Sequence, residues 1–91
     1  MQKKTTLNIC NRSIDKLLIW IEPYAYYEDL KPNSIFKIDI EYDETNIIED
    51  FFDLDYQEKQ VIIVLNIDMK KDYTFIISID NEITNQFQWS F

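Results

Sequence analysis

The chain contains no histidine, no glycine and a single cysteine, Cys10, among its 91 residues. Each absence closes off a chemistry. Without histidine, no side chain ordinarily exchanges a proton near neutral pH. One cysteine excludes an intramolecular disulfide and a cysteine-built zinc site. Cys10 itself sits in the strand-like run Leu7-Asn8-Ile9-Cys10 and is expected to be a small buried or half-buried hydrophobe. Without glycine there is no Gly-rich phosphate loop, and positions needing positive φ are expected to fall to Asn or Asp.

Other shortages point the same way. No stretch approaches the roughly 18 apolar residues that span a bilayer. The start, Met1-Gln2-Lys3-Lys4-Thr5-Thr6, carries positive charge with no apolar region behind it. The expectations are no membrane partner and a cytoplasmic location. Basic residues number 9 against 17 acidic ones, a formal net charge of −8. Such a balance repels phosphate, which argues against nucleic acid as a partner.

What remains is globular: 46% hydrophobic and 29% charged residues. A length of 91 residues fits one domain, 1–91. Period-two alternation dominates. Phe36, Ile38, Ile40 and Tyr42 alternate with Lys37, Asp39 and Glu41, the pattern of a half-buried strand. Tyr73, Phe75, Ile77 and Ile79 repeat it, and so do Ile83, Phe87, Trp89 and Phe91 at the end. Val61, Ile63, Leu65 and Ile67 alternate with Gln60, Ile62, Val64 and Asn66, whereas Leu17 to Ile21 is apolar on both sides. In Leu17–Ile21 this predicts a strand covered on both faces, or one whose outer face meets a partner. Turn chemistry separates these runs. Lys31-Pro32-Asn33-Ser34 presets φ at Pro32 and lets Asn33 turn left-handed, and Asn81 can do so in Asp80-Asn81-Glu82. Residues 47–55 fit either a strand or a short helix. The expected class is all-β, an antiparallel β-sandwich or small barrel of about seven strands.

One stretch carries a resemblance. Asn11-Arg12-Ser13 is followed by an apolar strand ending in Trp20-Ile21-Glu22-Pro23-Tyr24, then Leu30-Lys31-Pro32-Asn33-Ser34-Ile35-Phe36. It resembles a group of small bacterial β-sandwich proteins of unassigned function. Their pattern is an Asn-x-Ser/Thr loop, a strand ending in Glu-Pro-aromatic, then Leu-x-Pro-Gly and another strand. Asn33 stands where that group has glycine. The resemblance covers Asn11 to Phe36 and implies the fold; it carries no active site.

Two constellations are candidates for function. Between Ile38 and Glu58 there is no Lys or Arg, while Asp39, Glu41, Asp43, Glu44, Glu49, Asp50, Asp53, Asp55 and Glu58 supply negative charge. Tyr42, Phe51, Phe52 and Tyr56 interleave with them. Acids around aromatic anchors suit docking to a basic protein; the bland alternative is a solvated face that keeps the protein soluble. The expected partner-binding set is Tyr42, Asp43, Glu44, Glu49, Asp50, Phe51, Asp53, Asp55 and Tyr56, with Phe52 in the core. The second constellation is Tyr24, Tyr26 and Tyr27, aromatics able to stack on a sugar or other small ligand. Trp20 beside them is expected in the core, and Glu22 is expected to play a structural role.

Asp50, Asp53, Asp55 and Glu58 also offer hard oxygen donors, but the spacing lacks the glycine of an EF-hand loop. Paired carboxylates without histidine, nucleophile or cofactor motif make an enzyme the weaker expectation. The chain thus reads as a non-enzymatic acidic protein-binding module without cofactor or metal, in the manner of an inhibitor or immunity protein covering a basic site on a toxin, nuclease or effector. The alternatives are a carbohydrate-binding module and a self-associating module burying Leu18 and Trp20 between copies.

Overall fold

The computed structural model describes residues 2–22, 25–43, 52–66 and 72–89. Eight strands account for nearly all of them: β1 (Gln2–Cys10), β2 (Leu17–Glu22), β3 (Tyr26–Leu30), β4 (Ile35–Asp43), β5 (Phe52–Gln57), β6 (Gln60–Leu65), β7 (Tyr73–Ile79) and β8 (Glu82–Trp89). They form two open four-stranded sheets, ordered β1-β4-β7-β8 and β3-β2-β6-β5. The protein is all-β, as the alternation predicts, with the strand content of a small sandwich. Among the described residues there are eight strands, because both the Tyr26–Leu30 segment and the ambiguous segment after Phe51 join the six clear runs. Phe52 to Asp55 are strand, not helix; residues 47–51 lie outside the described set.

The chain divides into two compact units, one per sheet. In the first, β4 pairs antiparallel with both β1 and β7. The register sets Ile38 opposite Leu7 and Ile77, and Ile40 opposite Thr5 and Phe75. Phe36, Ile38, Ile40, Tyr73, Phe75 and Ile77 are all buried. Each contributes roughly 1.5–3 kcal/mol by leaving water, which is why this register outcompetes a one-residue slip. β7 turns into β8 through Asp80 (φ 51°) and Asn81 (φ 67°), two left-handed residues as a type I′ hairpin requires. Asp80 also holds the start of β4: its Oδ1 accepts from the Ile35 amide at 2.9 Å, and its own amide donates to Ile35 O at 2.9 Å.

In the second unit β2 pairs antiparallel with β3, and β6 with β5, but β2 and β6 run parallel. This one pairing departs from the antiparallel expectation. Ile19, Ile21, Leu30, Val61, Ile63 and Leu65 form its buried face.

Within this unit Asn11, Ser13 and the Lys31–Ser34 turn form a latch. Asn11 is only 2% exposed. Its Nδ2 donates to Asp15 O and Leu30 O, both at 2.9 Å, while Oδ1 accepts from the Ser13 amide at 3.0 Å and the Ser13 hydroxyl at 2.7 Å. All four side-chain hydrogen-bonding capacities are thereby used. Its backbone joins the Lys31–Ser34 turn through Asn11 N to Ser34 O at 3.0 Å and Asn33 N to Asn11 O at 2.7 Å. Asn33 takes φ 65°, the left-handed value expected where the resembling group has glycine.

Asn and Asp do not take every such position. Ala25 (φ 52°) and Lys59 (φ 59°) are left-handed too. The lack of glycine therefore places strain of about 1 kcal/mol or more on residues with an ordinary side chain.

Candidate protein-docking face

Strand alternation gives the second sheet one buried face and one outer face. On the outer face β3 places Tyr27 and Asp29, β2 places Leu18, Trp20 and Glu22, β6 places Gln60, Ile62 and Val64, and β5 places Asp53, Asp55 and Gln57. The registers align these residues in cross-strand rows. Tyr27, Trp20, Ile62 and Asp55 make the central row; Asp29, Leu18, Gln60 and Gln57 lie to one side of it, and Glu22, Val64 and Asp53 to the other.

The centre of this face is apolar. Trp20 and Tyr27 are stacked, with ring centroids 5.6 Å apart and planes 9° apart. Tyr27 is 59% exposed and Val64 36%, while Leu18, Trp20 and Ile62 are half-buried. Carboxylates border it: Asp29 beside Tyr27, Glu22 beside Trp20, and Asp53 and Asp55 along β5. Glu22 Oε1 accepts from Trp20 Nε1, which fixes the indole over the sheet. Asp53 Oδ2 accepts from Asn66 Nδ2 at 2.7 Å. None of the residues in its four strands is a Lys or Arg.

The expected binding residues separate. Asp53 and Asp55 are exposed on this face. Tyr56 is exposed too, but it pairs with Val61 and so belongs to the opposite side of β5. It cannot interleave with the two aspartates, because adjacent strand residues point apart. Tyr42 lies in the other unit, half-buried on β4 opposite Tyr73, and Asp43 closes that strand. Glu44, Glu49, Asp50 and Phe51 lie outside the described residues. The acidic middle is therefore shared between two units: Asp39 and Glu41 on β4, Asp53 and Asp55 on β5. Phe52 is half-buried rather than core.

The tyrosine constellation divides in the same way. Tyr27 is on the outer face; Tyr26 is half-buried on the other, with its hydroxyl donating to Glu28 Oε2 at 2.8 Å. Tyr24 lies outside the described residues. Trp20, expected in the core, is instead half-buried on the outer face, and Cys10, expected to be at least half-buried, is exposed. The sequence signal for this face was the pair of runs apolar on both sides, Leu17–Ile21 and Val61–Leu65. They become the two central strands, and their second apolar side is the centre of this outer face.

Among the described residues no three acidic or cysteine side chains gather as a metal site would need. No helix among them is long and apolar enough to cross a membrane. Comparison with family models, with curated proteins and with solved structures finds no match to this chain.

Proposed function

We propose that this protein is a non-enzymatic acidic binding module whose outer β3-β2-β6-β5 face covers a basic surface of another protein. The carrying observation is the composition of that face: a stacked Trp20–Tyr27 pair with Leu18, Ile62 and Val64, bordered by Glu22, Asp29, Asp53 and Asp55, with no described cation among them. An apolar centre excludes water, and acids at its margin steer a positively charged partner and reject acidic ones. A basic site on a toxin, nuclease or effector is the kind of target such an inhibitor or immunity-type protein takes, in the cytoplasm of the producing cell. A second copy is a poor occupant of the same face, since four carboxylates would meet four. Carbohydrate is the second reading, favoured by the exposed ring of Tyr27 next to Trp20.

The test compares the wild-type chain with Asp53→Lys/Asp55→Lys as baits in a cell lysate, at low and at physiological salt. Expected is one basic protein near stoichiometry on the wild type, weakened by salt and lost with the variant. Identical capture by both baits would sink the proposal. Salt also separates the two readings, because charge steering is screened and stacking on a neutral sugar is not.

A further inference from the structure

Resting on that reading, we infer that the partner presents a basic amphipathic α-helix, laid along β2 and β6. Three features of the face select it. The first is width. β3 and β5 are three strand spacings apart, about 14 Å, and a helix with its side chains is about 10–12 Å across. A helix centred over β2 and β6 therefore sets its flanks near Asp29 on one edge and Asp53 and Asp55 on the other.

The second is the pattern of polarity. Leu18, Trp20, Ile62 and Val64 are contributed by the two central strands alone, and the exposed acids of the face by the two edge strands. The complement is an apolar stripe at i, i+3, i+4 and i+7 flanked by Lys or Arg.

The third is backbone chemistry. The central strands spend their hydrogen bonds on β3, on β5 and on each other. An extended peptide laid over their apolar side chains would bury its own N–H and C=O groups without partners. A helix satisfies those groups internally. Strand addition would occur at the β3 or β5 edge and would leave the Trp20–Ile62 centre uncovered.

The experiment uses two synthetic 14-residue peptides of identical leucine and lysine composition. One places its leucines on a single helical face and the other scatters them. Each is titrated into the isotope-labelled full chain while amide resonances and the Trp20 indole N–H are followed. Expected is that the amphipathic peptide shifts Leu18, Trp20, Ile62 and Val64 and binds at least tenfold tighter than its isomer. Ile62→Lys, at a half-buried outer position, should abolish that preference with the spectrum still folded. Equal binding of both peptides would overturn the helix and leave the basic partner standing. Shifts confined to β1 and β4 would overturn it too, and so would no shift from either peptide. If the lysate comparison above also fails, the basic-partner reading falls with it.

Discussion

The two sheets share a plan on their buried sides and differ on their outer ones. The outer side of β1-β4-β7-β8 carries Lys4, Thr6, Asn8, Lys37, Asp39, Glu41, Thr74, Ser78, Gln86 and Gln88, with Ile76 and Ile83 the exceptions. Both signs of charge are present and they meet. Asp39, only 7% exposed, accepts a hydrogen bond from Thr6 Oγ1 and lies 3.8 Å from Lys37 Nζ. The outer side of β3-β2-β6-β5 holds one sign of charge around an apolar centre. The first face compensates its own charge; the second leaves its charge to be compensated from outside. The proposed function therefore rests on the second, although the acidic run that draws attention in the sequence feeds both.

That contrast can be broken by experiment. The largest effect belongs to the scaffold under the docking face. Asn11→Ala removes a buried side chain and with it the donor to Leu30 O and one of two donors to Asp15 O, and should cost about 3 kcal/mol in urea unfolding. A loss under about 1 kcal/mol would mean that the latch is not what holds this unit's loops. Next, Asp53→Lys/Asp55→Lys should weaken a captured basic partner by about 2 kcal/mol, roughly thirty-fold, with little change in the unfolding midpoint. If the midpoint falls with the affinity, these acids are structural and the two faces are not different in kind.

Asp39→Ala on the self-compensating face should show the reverse. Unfolding stability drops by about 1–2 kcal/mol, since Thr6 and Lys37 lose a buried acceptor, and partner binding is untouched. Asp55→Ala should stay within about 0.5 kcal/mol in the same assay, as exposed substitutions do. The smallest effect is a gain. Lys59→Gly relieves a left-handed residue in the β5–β6 turn and should raise stability by up to about 1 kcal/mol, net of the extra freedom of glycine when unfolded. A decrease would show that the Lys59–Asp15 ion pair, 3.5 Å apart, outweighs the strain.

Much of the fold was legible from alternation. β4 and β7 read correctly because each has one apolar and one polar side, so period two identifies both strand and buried face. The Lys31–Ser34 turn and the positive φ of Asn33 and Asn81 followed from residue chemistry alone. The docking face was legible only in part. The charge gap marks Asp53 and Asp55, but proximity in sequence also marks Tyr56, which strand parity puts on the other side. Trp20 was assigned to the core because a run apolar on both sides does not say which side is covered. Ala25 and Lys59 escaped notice because nothing local to either residue type marks a left-handed turn.

The sequence by itself determined the all-β class, the buried faces of the half-buried strands, the main turns and the surplus of negative charge. These depend on neighbours one to four residues away, where side-chain alternation and turn preferences act. Only the tertiary structure decided which strands became neighbours. The parallel pairing of β2 with β6 joins segments about forty residues apart, through backbone hydrogen bonds that every residue type can make. That pairing puts Trp20 beside Ile62, and with β3 and β5 alongside it turns two ambiguous apolar runs into one apolar face with acidic margins.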